Sequence, residues 1–370
     1  MTAASSMSNG SAGPLRTSRS RRRKRLLVVL CLLGPLLFAE LGVRALIATD
    51  RLPVAAAHFD RLEISWSNLA HIGRQPDVLI LGDSMGQQDL DPETLARLAQ
   101  PYTGNTLRIY DLSVSGAGFG TIRILVDQLM REGRLPPVLI VGVSPSILRG
   151  GPLGVVSDFQ RSPMGQQFSQ CANVEGYVQT VDCQFSQISK LWLWRGQPVR
   201  LARALVRGRP RTSKHAGLMR PDGFIEGPSR PIAAIQSQVP DALDRQGSAF
   251  AMEASTLPEF VDLIGALRRG GAHVVVVTIP YSPVFTDALV AVNPDWESER
   301  AGAVAQLGAA AGVPVVESGS FGSWWGDGSS SDVKHLSHEG AIAFDQQLWG
   351  TLAFHDAFLA ALRDAGRLSQ

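Results

Sequence analysis

Asp77-Val78-Leu79-Ile80-Leu81-Gly82-Asp83-Ser84-Met85-Gly86 reads as a strand that stops abruptly and a turn that carries a serine. An apolar run without alternation suits a strand buried on both faces, and the flanking glycines let the chain turn sharply. In open α/β sheets, functional groups collect at the carboxyl ends of strands. A serine placed there can expose its hydroxyl while its backbone N–H points at a developing oxyanion. Gly-Asp-Ser also makes ordinary turns, so the neighbouring sequence has to decide.

Outward from this stretch the pattern alternates. Asp91-Pro92-Glu93 starts a helix toward Leu98, with Asp91 as N-cap and Pro92 in the first turn. Thr106–Val114 reads as a second strand, Thr121–Arg131 as a helix and Val138–Val143 as a third strand. Pro258–Arg269 is a helix ended by Gly270-Gly271, and Ala272–Ile279 a fourth strand. Glu297–Ala311 is a helix, Val313–Glu317 a fifth strand and Glu339–Arg363 a closing helix. Such alternation predicts a parallel sheet with helices on both faces. Residues 60–143 and 258–365 form this α/β domain; residues 144–257 interrupt it after the third strand and are too long for a loop. The interruption holds the Trp-rich Leu191–Gly196 and seven Lys/Arg with no acid between Arg200 and Arg220. That basic stretch is either a solvated helix and linker or a contact for anionic headgroups or an anionic envelope polymer.

Of the 370 residues, 45% are hydrophobic, enough for a large core, and 35 Lys/Arg stand against 33 Asp/Glu. Residues 1–25 hold seven of the basic residues and no acid, which leaves 28 against 33 in the rest. The positive charge is therefore local, and 7% aromatics with a net charge of only +2 argue against a dedicated nucleic-acid binder. Residues 1–25 read as a basic, disordered cytoplasmic tail. The apolar run that follows, residues 26–48, is long enough at 1.5 Å per residue to span about 30 Å of hydrocarbon. Glu40 and Arg44 stand four apart and can pair on one helix face. Cations stay cytoplasmic, which predicts a single-pass membrane protein whose working domain is extracytoplasmic. An uncleaved signal anchor is the first reading and a cleaved signal peptide the second. A core helix has no need of so basic a start. Cys171 and Cys183 are the only cysteines of the exported part. In an oxidising compartment they read as a disulfide worth about 2–3 kcal/mol, with two free thiols as the alternative. No His or Cys pair nearby has metal-ligand spacing.

Two further segments carry chemistry. Asp332-Val333-Lys334-His335 sets an acid and a base three apart on one turn. A serine hydroxyl is a poor nucleophile until a base takes its proton, and the base works best when an anion orients it. His338, beyond the turn, reads as a solvent-facing or helix-capping residue. Ser113-Val114-Ser115-Gly116-Ala117-Gly118, at the end of the second strand, offers a glycine whose N–H can approach a carbonyl oxygen unobstructed.

Gly82-Asp83-Ser84, Gly116 and Asp332 to His335, in this order and each at a strand end, resemble the blocks of the SGNH (GDSL) hydrolase superfamily. The resemblance covers roughly residues 76–143 and 258–360. It implies a flavodoxin-like three-layer α/β/α fold with a five-stranded parallel sheet in the order 2-1-3-4-5. It further implies Ser84 as nucleophile, His335 as base with Asp332, and the Ser84 and Gly116 N–H groups in the oxyanion hole. One block departs: where the family places an Asn after the third strand, this chain has Gly142-Val143-Ser144-Pro145. Losing one oxyanion donor costs about 3–4 kcal/mol, and the Ser144 hydroxyl is the local candidate to replace it. Gly82-x-Ser84-x-Gly86 also fits the nucleophile elbow of α/β-hydrolases. That fold sets several strands before its serine and keeps Asp and His on separate loops, unlike this chain.

An anchored, extracytoplasmic member with this block order resembles proteins that act beside membrane-bound O-acyltransferases. The implied reaction is serine acyl transfer onto a hydroxyl of a cell-envelope polysaccharide, with no metal or cofactor. A membrane-tethered carbohydrate esterase or lipase is the second expectation. A catalytically impaired glycan-binding or assembly subunit, prompted by the absent Asn, is the third. The role of residues 144–257 as a lid, a glycan platform or a docking surface stays open.

Overall fold

The computed structural model describes residues 17–48, 60–149 and 219–369, apart from Ser248, Ser320 and Ser323, with shorter stretches between 159 and 202. In chain order the helices are α1 (Thr17–Ala48), α2 (Asp60–His71), α3 (Ser84–Asp89), α4 (Pro92–Thr103), α5 (Phe119–Arg131) and α6 (Pro145–Leu148). There follow α7 (Pro163–Phe168), α8 (Lys190–Leu193), α9 (Ile232–Gln236), α10 (Val239–Gln246) and α11 (Thr256–Arg269). The last are α12 (Pro283–Val292), α13 (Trp296–Ala311), α14 (His338–Gly350) and α15 (Leu352–Asp364). The strands are β1 (Val78–Leu81), β2 (Ile109–Asp111), β3 (Val138–Val143), β4 (His273–Thr278) and β5 (Val315–Val316).

All strands run parallel, in the order β2-β1-β3-β4-β5. β1 and β3 are buried along their whole length, which is why their sequences do not alternate. From β1 the chain crosses to one side, to β2; every later crossover runs the other way. Right-handed crossovers therefore put α4 on one face and α5, α11 and α13 on the other. Contacts agree: α11 packs on α5 and α13, while α14 packs on α3, α4 and α15. The arrangement is α/β and compatible with three layers. The crossovers diverge between β1 and β3, and the carboxyl ends of these strands form the crevice where α/β sheets bind ligands.

Several expectations shift. The single closing helix Glu339–Arg363 is two helices, broken where Thr351 turns extended (φ −79°, ψ 123°) after Gly350 and its hydroxyl donates to the Leu348 carbonyl. β2 is shorter than expected, yet the Leu112 and Val114 N–H groups still donate to Ile80 and Gly82. Residues 17–25, expected in the disordered tail, form the first turns of α1; residues 1–16 lie outside the described residues. Glu40 and Arg44 do pair, at 2.6 Å. Among the described residues no helix is long and apolar enough to cross a membrane; several side chains of the apolar run, between Leu26 and Leu32, lie outside them. Cys171, Cys183 and most of the basic stretch also lie outside. Arg220, its last member, is engaged: its guanidinium meets Asp91 at 2.6 Å and Asp222 at 2.5 Å. The interruption rejoins the domain there, since Asp111 donates its N–H to the Asp222 carbonyl.

Candidate active site

Ser84 is the first residue of α3, directly after β1. Asp83 caps this helix, its carboxylate accepting the Met85 N–H at 3.0 Å. As the opening residue of a helix, Ser84 has an N–H without an intrahelical acceptor. Gly86 permits the tight seat of α3, because a Cβ there would come within 2.7 Å of the Ser113 hydroxyl oxygen.

The loop before α14 brings Asp332 and His335. Asp332 Oδ1 accepts the N–H groups of Lys334 (2.8 Å) and His335 (3.0 Å), so the carboxylate closes its own turn. The same carboxylate lies 2.8 Å from His335 Nδ1, and His335 Nε2 lies 2.8 Å from Ser84 Oγ. With Nδ1 against a carboxylate, that nitrogen carries the proton and Nε2 accepts from the serine. Burial pulls the His335 pKa down, but the Asp332 charge and hydrogen bond outweigh it and hold the imidazole above its ordinary 6.5. Burial likewise works against the Asp332 carboxylate, and His335 with the two N–H donors holds its pKa well below the usual range.

Gly116 follows closely on the point where the Val114 N–H pairs with the Gly82 carbonyl, two residues before Ser84. It has φ +74°, and the Ala117 N–H returns to the Val114 carbonyl. This is a turn with glycine at its third position, which needs positive φ and leaves the glycine N–H out of the turn's own hydrogen bond. Ser144 is fully buried and otherwise occupied: its hydroxyl donates to Asp83 Oδ2 and accepts the Ile147 N–H. A hydroxyl has one proton, so in this arrangement Ser144 has none for a substrate oxygen. His338 neither caps α14 nor faces solvent freely; Ser337 is the cap, and the imidazole is half-buried, 6.0 Å from the Phe224 ring.

The chain matches no protein-family model, and no curated protein is similar to it. The geometry alone therefore carries the functional argument.

Sequence reasoning missed Asp89, the last residue of α3. It is fully buried and accepts the Leu336 N–H at 2.8 Å, tying the serine helix to the histidine loop. Burial pushes its carboxyl well above the usual range. Its distance from Asp332 along the chain hid this link. A cavity of about 520 Å³ opens beside His335, lined by Ser146, Arg149, Arg245, Tyr281 and Lys334 among others. Lys334 lies inside the Asp332–His335 motif but faces this cavity, a role that spacing does not reveal. Among the described residues no three His, Cys, Asp or Glu side chains cluster as a metal-ligand set.

Proposed function

We propose that the chain is an SGNH-type serine acyl-transfer enzyme, in a flavodoxin-like three-layer α/β/α domain, acting on a cell-envelope polysaccharide. The observation that carries this reading is the continuous relay from Ser84 Oγ to His335 to Asp332, with both links at 2.8 Å. In the first step Ser84 Oγ attacks the acyl carbon of a donor ester, and its proton passes to His335 Nε2. Asp332 stabilises the imidazolium. The Ser84 and Gly116 N–H groups face the developing oxyanion. Collapse of the tetrahedral adduct breaks the donor ester bond; the leaving oxygen takes the proton from His335 and an acyl-serine remains. A sugar hydroxyl then attacks this ester, its proton goes to Nε2, and Ser84 leaves with that proton restored. The product is an acylated sugar and the free enzyme.

The extracytoplasmic setting belongs to the same proposal. In α1, Leu27, Val28, Leu33, Leu36, Leu37, Phe38 and Leu41 are all more than half exposed to solvent, and the helix starts in an Arg/Lys cluster. Exposed apolar side chains in this number fit a lipid environment, with the basic end cytoplasmic. An integral membrane acyltransferase is the fitting donor partner. A tethered esterase is the second reading, favoured by the openness of the site: the Asp332 side chain is 39% exposed, so water reaches the relay.

The test uses the full chain in a polyoxyethylene detergent, an activated acetyl ester and intact-protein mass spectrometry. One acetyl group is expected on the wild-type chain and none on Ser84→Ala, with slow accumulation in His335→Ala. A folded wild-type chain that never acylates overturns the enzyme reading. Adding a glycan acceptor then separates transfer from hydrolysis: an acylated glycan supports transfer, and acetate alone supports the esterase.

A further inference from the structure

The cavity beside His335 has a cationic wall that the acyl-transfer chemistry does not use. Arg149, Arg245 and Lys334 all line it. Among the described residues none of the three has a carboxylate partner within ion-pair distance; the Asp332 carboxylate beside them is engaged by His335. Arg149 donates to the Gln246 carbonyl. Lys334 Nζ is 3.4 Å from Ser146 Oγ and 5.6 Å from the centre of the Tyr281 ring, so its ammonium is held against the wall by a hydrogen bond and a cation–π contact. Tyr281 is pinned in turn by Ser146 at 2.8 Å and Gln246 at 3.1 Å. Burial lowers the Lys334 pKa, Asp83 and Asp332 raise it, and Arg149 and Arg245 lower it again. Three like charges in one concave site repel one another, an arrangement that an anionic ligand relieves.

We propose that this cavity binds the anionic group of the glycan substrate, a uronate carboxylate or a sugar phosphate, seated among Arg149, Arg245 and Lys334. The neighbouring sugar hydroxyl then lies next to His335. The inference rests on the acyl-transfer reading for the fate of the hydroxyl, but the binding it requires is independent of turnover. Guanidinium groups suit both carboxylate and phosphate through paired N–H donors, so the chemistry is shared and the source is left to experiment.

Calorimetry on the full chain in polyoxyethylene detergent, with trigalacturonate, glucose 6-phosphate and maltotriose as probes, tests it. One anionic probe is expected to bind at least tenfold tighter than maltotriose, and the tighter one names the source. Arg149→Gln/Arg245→Gln should weaken that probe by tenfold or more, and Arg149→Lys/Arg245→Lys should recover part of the loss. Circular dichroism confirms that each variant is folded, and Lys334→Met serves as a third probe of the wall should the double variant fail to fold. Equal binding of neutral and anionic saccharides, binding of neither, or anion binding indifferent to these substitutions overturns the proposal. Anion binding without any acylation of Ser84 keeps this inference and removes the enzyme reading. Acylation without charge preference does the reverse.

Discussion

At the scale of single residues, the behaviour of the site turns on which proton His335 holds and when. In the proposed acyl transfer His335 works as a base only when neutral, and Asp332 holds its pKa above 6.5. Acylation of Ser84 should therefore rise with pH through a midpoint above 6.5. Asp332→Asn removes the charge, so the midpoint should move to lower pH. The maximal rate should also fall on the order of 10³–10⁴-fold, as a misoriented imidazole does elsewhere; a pH–rate profile of both proteins checks this. The sign for stability follows from the same shifts. The histidine's contribution is complete below 6.5 and fades as pH rises through its raised pKa, whereas the aspartate's is present above 3.8 and fades in acid. The melting-temperature gap between wild type and Asp332→Asn should thus be widest between those values. Asp89 gives a second expectation. Burial already favours its neutral form, so Asp89→Asn, which keeps an acceptor for the Leu336 N–H, should melt close to wild type. Asp89→Leu strands that buried N–H, and thermal unfolding should show a loss of about 1–3 kcal/mol along with slower acylation. Asp332 and His335 were legible in their local spacing, and Ser84 joined them through what the resemblance of the blocks implied. Asp89 and Arg149 were not, because their meaning lies in neighbours hundreds of residues, or one crevice, away.

Among the elements, strands were easier to read than their limits. Val138–Val143 coincides with β3 because it is buried throughout and flanked by proline and serine breaks. α3 was missed: six residues with two polar glutamines and a glycine carry no helical periodicity, and only the Asp83 cap and the packing against Ser113 define it. The first helix of the closing pair shows why the segment before it is so well placed. Gly340 lies in its first turn, and a methyl group there would run into the Ser329 carbonyl oxygen. Backbone cannot yield as a side chain can, so Gly340→Ala should push α14 away from the loop that carries Asp332 and His335. The expected result is a loss of about 1–3 kcal/mol in urea unfolding, together with slower acylation of Ser84 by mass spectrometry. A neutral effect on both would mean that the helix is free to shift without moving the base.

For the molecule as a whole, the parallel five-stranded sheet and its order were expected, and they are found. The course of the interruption was not legible. Residues 219–225 form a turn that meets the outer edge of β2 at Asp111, where Arg220 joins Asp91 and Asp222 and stacks over the Phe224 ring at 4.7 Å. In sequence it was the last cation of a basic run; in space it is half of a partly buried ion cluster, which only long-range pairing decides. Where α1 ends, Glu40 accepts from the Ser189 hydroxyl and the Lys190 and Leu191 N–H groups, and Val43 packs with Leu193 and Trp194. The interruption is thus fastened to the long helix. If that helix is an anchor, the full chain should stay in the membrane pellet after an alkaline carbonate wash. Protease added from outside should then cut it on the carboxyl side of residue 48. Release into the wash would show that α1 does not span the bilayer.

The Asp332 carboxylate binds both the imidazole and the backbone of its own turn. His335 and Asp332 therefore form one stiff part, coupled to Ser84 through a single hydrogen bond and to its helix through Leu336 and Asp89. Such a coupling works like a clutch: a displacement of that turn by about the length of one hydrogen bond disengages the serine without dismantling the pair that drives it. On the acyl-transfer proposal, the site can idle while the chain remains fully folded.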